Sequence, residues 1–159
     1  MREYKSKTAY IKAIKEAKSG NAQEQAVTDY LESIGVTFSS QYTHQDESGD
    51  WPCYKHICTL SSKTASHSFE FSKGLDYAIQ YYTNVFIKPV LAAELLHSVL
   101  LDSYASEVSH ADWCADYGYD EDSRKGLETY LACQENYNKL LQVLTRSQLD
   151  HIAELLEDY

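Results

Sequence analysis

The stretch "VTFSSQYTH", Val36 to His44, decides the fold class, because the periodicity of the chain changes there. Val36, Phe38, Ser40 and Tyr42 recur at the period of two that lays one side of a strand on a core. Just upstream, residues 22–34, "AQEQAVTDYLESI", gather Ala26, Val27, Tyr30, Leu31 and Ile34 on one helical face, and Gly35 stands where a glycine ends a helix. Earlier still, Tyr10, Ile11, Ile14 and Ala17 predict an amphipathic helix over 4–18, closed by "SGN" at 19–21, with Asn21 suited to cap the next helix.

Downstream, "QDESGD" reads as a turn. "WPCYKHICTLS" (51–61) follows as a second strand with Pro52 at its start, where the missing N–H is tolerated. "SHSFEFS" (66–72) is a third. Such short connections favour an antiparallel meander. Residues 75–88 read as an irregular or short helical link. "VLAAELLHSVLLDSYASE" (90–107), after Pro89, is the most apolar stretch and predicts a buried helix. A short helix near 109–117, a long one near 122–144 and a last one from Ser147 complete the order, with Thr145 or Ser147 as the final cap. The expected fold class is α+β: a three-stranded antiparallel sheet (about 36–72) flanked by two N-terminal helices and a C-terminal helical bundle of about four helices. At 159 residues the chain suits a single domain over 1–159, with a helix-helix-sheet half (1–74) and an acidic helical half (75–159).

The charge is lopsided. Residues 1–100 hold 10 basic and 11 acidic side chains, whereas residues 101–159 hold 4 and 13, so nearly all of the net −10 lies in the C-terminal part. An acidic surface repels phosphate backbones, so direct nucleic-acid binding by that half is disfavoured, and a basic protein groove is the complementary partner. The first 18 residues reverse the sign, with Arg2, Lys5, Lys7, Lys12, Lys15 and Lys18 against Glu3 and Glu16. This basic helix supports an alternative expectation, a nucleic-acid or replication accessory protein. No apolar run nears the ~20 residues that cross a membrane. No apolar leader precedes the first helix, which leads us to expect an intracellular chain with four reduced cysteines. The 14 tyrosines against 4 phenylalanines are read mostly as half-buried aromatic positions.

Two clusters invite chemistry. His44, Cys53, His56 and Cys58 are zinc-compatible ligand types, which gives a third expectation, a small metal-dependent enzyme. Yet Cys53 and Cys58 are separated by an odd number and point to opposite faces of a strand, and paired CxxC knuckles are absent. A strand with Cys and Ile inward and His outward is the simpler expectation. Cys114 and His110 lie four apart and come into reach on a helix, although a small buried thiol is the plainer reading. There is no G-x-S-x-G elbow and no glycine-rich phosphate loop, so no catalytic residues and no cofactor are assigned.

The second cluster is "DWCADYGYDEDSRKG" (112–126). An EF-hand starting at Asp116 fails, because Glu121 and Leu127 stand where glycine and a bidentate glutamate are needed. A helix corner explains more. Gly118 allows a tight turn, and Asp120 or Asp122 is placed to cap the following helix. Trp113 and Tyr117 anchor it at i, i+4, and Leu127, Tyr130, Leu131, Tyr137, Leu140, Leu141 and Leu144 form the apolar stripe. Arg124 and Lys125 lie near Glu128. Gly126, inside the helix, costs roughly 0.5–1 kcal/mol relative to alanine and hints at a loosened helix or a close contact.

"DWCADYGYDEDSRKGLETYLACQ", preceded by "LLHSVLLDSYASEVSHA", resembles a group of uncharacterised tailed-bacteriophage proteins with an acidic "DWC…GYDxDSRKA…Y…AC" segment. "GNAQEQAVTDYLESIGVTF" and "WPCYKHICTL" are similar to the same group, so the likeness spans residues 19–142 and leaves out the helix from Ser147. The resemblance implies a phage accessory protein acting in the cytoplasm of the infected bacterial host. Small acidic phage proteins are often inhibitors of host defence, including anti-CRISPR proteins. The partner the resemblance implies is a host defence protein complex, with a CRISPR effector as the expected one. Asp116, Asp120, Glu121 and Asp122 would supply charge, and Tyr117 and Tyr119 aromatic anchors.

Overall fold

The computed structural model describes residues 22–48, 51–74 and 84–159, with the side chains at 42, 44–48, 51–54, 73–74 and 84–88 outside that description. The expected first helix over 4–18, and the Asn21 cap, also lie outside the described residues. Helix α1 (Ala22–Ser33) ends in paired backbone bonds, Val36 N–H to Leu31 O at 2.9 Å and Gly35 N–H to Glu32 O at 3.2 Å. That closing motif lays Val36 beside Leu31, and both are buried. The chain therefore enters β1 (Thr37–Ser48) already directed at the core.

Strands β1, β2 (Trp51–Ser61) and β3 (Ser66–Gly74) form one antiparallel sheet in sequence order. Register pairs Phe38 with Leu60, Ser40 with Cys58 and Cys58 with Phe69, and the resulting row packs on the helices. The opposite face is mostly small and polar. Thr59 and Ser68 pair across strands by their hydroxyls at 2.8 Å, as do Ser61 and Ser66. The expected inward isoleucine is corrected here. Ile57 is 40% exposed, whereas His56 is 3% exposed and shares the core face with Cys58. Strand parity places them so: His56, Cys58 and Leu60 must lie together once Leu60 is buried.

Four helices and a single turn follow. Helix α2 spans Asn84–Asp102, α3 is the turn Tyr104–Glu107, α4 is His110–Tyr117, α5 is Arg124–Val143 and α6 is Arg146–Leu155. Two expectations change. Pro89 lies inside α2 instead of ahead of it. The residue before a proline is only biased away from helix, and the burial of Val90, Leu91, Ala92, Ala93, Leu95 and Leu96 outweighs the one lost backbone bond. The stretch read as one helix to 107 also breaks at Ser103, whose N–H bonds Leu100 O at 3.2 Å, and Ala105 then turns into a second cluster.

The main core joins α1, the sheet, α2, the end of α5 and α6 through Leu31, Leu60, Leu91, Leu96, Leu140, Leu144 and Ile152. Thr145 caps α6 in a reciprocal box with Gln148, as one of the two expected candidates. Residues far apart in sequence meet on this core: Tyr159 donates to Glu24 at 2.9 Å, and Gln23 to Glu157 O at 2.7 Å. No helix among the described residues is long and apolar enough to cross a membrane.

One part of the expected α5 stripe is corrected. Leu127 and Leu131 are 44% and 51% exposed, while Leu140 is fully buried. Gly126, Tyr130, Cys133, Tyr137 and Leu140 share the inward face, and Leu127 and Leu131 are rotated from it by about 100–140° at 3.6 residues per turn. Leu140→Ala is expected to destabilise the fold by about 2–5 kcal/mol and Leu131→Ala by less than about 0.5 kcal/mol, read by urea denaturation.

Candidate functional site

The acidic corner is built by two helix ends. Ser109 caps α4, accepting from Asp112 N–H at 3.2 Å and donating to the Asp112 carboxylate at 2.7 Å. Asp112 is thus occupied by the cap. Helix α4 stops at Gly118, whose φ of +73° is the left-handed conformation glycine adopts without strain, and Tyr119 N–H returns to Cys114 O at 2.9 Å. A tight turn follows, in which Ser123 N–H and hydroxyl both donate to Asp120 O, at 3.0 and 2.7 Å. Asp120 Oδ1 accepts from Asp122 N–H at 3.0 Å.

The expected aspartate cap is corrected: Ser123 caps α5, its Oγ accepting from Gly126 N–H at 3.0 Å. Asp120 spends its carboxylate on the turn itself, and Asp122 lies one residue too early. Gly126 makes the closure possible. A Cβ there would lie 2.9 Å from Asp120 O, 2.9 Å from Ser123 Oγ and 3.3 Å from Tyr119 Cβ. Of the two expectations for this glycine, the close contact is the one found.

Behind the turn sits a small aromatic core. Trp113 is 4% exposed, and Tyr119 stacks on it at 5.1 Å with 22° between planes. Tyr117 lies tilted at 5.1 Å from the indole, and Tyr130 of α5 meets it edge-on at 5.6 Å. Two α5 side chains satisfy carbonyls near α3: Gln134 donates to Ala105 O at 2.8 Å and Tyr130 to Val108 O at 2.9 Å.

Of the expected anchors, Tyr119 is half-buried in this stack, whereas Tyr117 is 52% exposed. Asp116, Asp120, Glu121 and Asp122 are all exposed, and none takes part in an ion pair among the described residues. Asp116 accepts a hydrogen bond from Tyr104, which raises the phenol above its ordinary range. Arg124, the nearest cation in sequence to the turn, is held by Glu128 at 2.6 Å. The structure therefore sets Asp120, Glu121 and Asp122 on one fixed turn and Asp116 in the last turn of the helix before it, with no ion pair to any of them among the described residues.

The other candidates are placed as follows. His110 Nε2 and Cys114 Sγ are 3.2 Å apart, as helical spacing allows, but the thiol is 1% exposed. Burial, followed by the nearby Glu121 and Asp120 carboxylates, raises its pKa, the reverse of what an activated thiolate needs. Of the zinc quartet, register pairs His44 with Lys55, one position away from His56, whereas His56 and Cys58 face the core. The side chains of His44 and Cys53 lie outside the described residues. Burial lowers the His56 pKa and pushes the Cys58 thiol up to about 12. Among the described residues no group of three or more His, Cys, Asp or Glu is placed to hold a metal ion. The basic segment 1–18 is outside the described residues.

A polar contact with no sequence signal joins α2 to α5. Asp102 is bonded by the Cys133 thiol and by Asn136 Nδ2 at 3.4 Å. Burial raises the Asp102 pKa, and the same burial with the adjoining carboxylate pushes Cys133 up to about 12. These residues lie more than 30 positions apart, and only the packing of α2 on α5 joins them.

No family model, no curated protein and no solved structure matches this chain.

Two outcomes follow from this geometry. Gly126→Ala gains helix propensity but forces the turn off the helix, so a net loss of about 1–2 kcal/mol is expected in thermal or urea unfolding. For Asp102, unfolded chains release the proton near pH 3.8 and the folded chain releases it later. Stability is therefore lost as pH rises from about 3.8 through the raised folded value, and the cost persists at neutral pH. Asp102→Asn should stabilise the protein more at pH 7 than at pH 3.5, read from paired urea titrations.

Proposed function

We propose that this chain is a phage-encoded inhibitor of a bacterial defence system, anti-CRISPR-like, which acts by protein–protein binding and not as an enzyme. Its acidic corner would compete with nucleic acid for a basic groove on a host defence protein complex, a CRISPR effector being the leading candidate, in the cytoplasm of the infected bacterium. The observation that carries the reading is the set Asp116, Asp120, Glu121 and Asp122, exposed and without an ion pair among the described residues, the first in the last turn of α4 and the other three on a turn braced by the Trp113–Tyr119 stack and the Ser123 cap. Charges held in place before binding lose little freedom on docking, and unlike charges across an interface speed encounter. Tyr117, half out of the aromatic core, supplies a rigid contact beside them. Tyr119 contributes from behind by holding the turn. The phage context comes from the sequence resemblance, and the distribution of charge is consistent with it.

The test is affinity capture of purified effector complexes, followed by titration. Charge reversal at Asp120, Glu121 and Asp122 together should weaken binding at least about tenfold, that is about 1.4 kcal/mol. Raising salt from about 50 to 500 mM should weaken the unaltered protein similarly. Binding indifferent to both changes overturns the electrostatic reading.

A further inference from the structure

Tyr117 is held on two sides and still stands in solvent. Its ring lies 5.1 Å from Trp113 and meets Tyr104 edge-on at 6.1 Å, yet the residue is 52% exposed. Adjacent helix positions point about 100° apart, so Asp116 and Tyr117 would not by themselves converge on one ligand. Tyr104, reaching in from α3, joins them: its ring packs against Tyr117 and its hydroxyl donates to Asp116 Oδ2. The carboxylate is thereby fixed beside the rings, and it keeps acceptor sites in reserve, since an ionised carboxylate offers about four.

We propose that Tyr104, Asp116 and Tyr117 form a seat for an arginine side chain of a protein partner. The inference rests on the acidic corner being a docking surface, and it names the chemistry which that surface takes. A guanidinium is planar, so it stacks on an aromatic ring while its N–H groups donate in plane to a carboxylate; a lysine ammonium is a compact, strongly hydrated charge that gains less from the ring. The seat occupies the last turn of α4, where the helix dipole presents its negative end. The surrounding charges agree in sign. Asp112 stands one turn earlier, Asp120, Glu121 and Asp122 follow, Glu107 belongs to α3, and no lysine or arginine occurs from residue 103 to residue 123. The next cations along the chain are Arg124, which Glu128 holds, and Lys125. His110 is turned the other way, towards Cys114 and Tyr130. An arginine that grips phosphate suits a carboxylate equally well, which agrees with a groove that otherwise takes nucleic acid.

Calorimetric titration of the full chain with oligo-arginine and oligo-lysine peptides of equal length, in low salt, tests the seat. Oligo-arginine should bind at least about fivefold more tightly. Tyr117→Leu, which keeps an apolar contact with Trp113, should remove that preference while changing oligo-lysine affinity by less than about twofold. Tyr117→Phe should retain the preference, and Asp116→Asn should weaken oligo-arginine more than oligo-lysine. Charge reversal at Asp120, Glu121 and Asp122 together should weaken both peptides alike. Far-UV circular dichroism verifies that each variant is folded. Equal affinity for the two peptides overturns the seat, as does a preference that survives Tyr117→Leu. If equal affinity still falls on charge reversal of the turn, the seat alone is lost and the electrostatic reading stands. If neither peptide binds, both are lost. An arginine preference in a protein that captures no effector complex upholds the seat and overturns the inhibitor role.

Discussion

The corner depends on an absence, the missing side chain at Gly126. The Asp120 carbonyl and the Ser123 hydroxyl occupy the volume that a methyl group would claim. Because they sit there, Ser123 serves two ends at once: it donates into the turn and accepts from the first turn of α5. The left-handed residue at Gly118 and the close approach at Gly126 then force a sharp reversal between α4 and α5 within six residues. Exposure of the carboxylates is a consequence of that reversal. A turn so short has no interior in which to bury them.

Helix α5 binds the two packed regions into one arrangement. Its C-terminal half enters the main core through Leu140 and Val143, and its N-terminal half carries Tyr130 and Cys133 against the aromatic cluster. Between them, Gln134 and Asn136 satisfy polar groups on α3 and at the end of α2. The Cys133–Asp102 contact shows what this costs. Partial burial penalises the Asp102 carboxylate, and its position at the C-terminal end of α2 sets it beside the unfavourable pole of the helix dipole. Its two donors lessen the penalty without removing it.

Local signals in the sequence were legible wherever one physical cause acted alone. The change of period at Val36, the helix end at Gly35 and the i, i+4 contacts at Trp113 and Arg124 are each dictated within a few residues, and each is present. What could not be read depended on distant partners. Leu127 and Leu131 belong by pattern to the stripe containing Leu140, but which side of a helix is covered depends on what packs there. Pro89 and Ser103 show the same limit from the other side, since burial carries one helix through a proline and a remote cluster bends another out of line. At the candidate site, the acidic residues and their setting in a corner were legible. The division of labour among them was not: Ser123 replaces aspartate as the cap, and Tyr119 turns inward while Tyr117 stays out.

The clasp between α1 and α6 bears on the order of events during synthesis. The three strands pair with their sequence neighbours, so the sheet can assemble soon after its residues leave the ribosome. Two side-chain contacts of helix α1 wait much longer, because Gln23 bonds Glu157 and Glu24 bonds Tyr159, 134 and 135 positions later. One of the earliest described elements to emerge is therefore among the last to be fully secured. Until the residues of α6 and the segment after it are made, the described elements available to the apolar side of α1 are the sheet and α2.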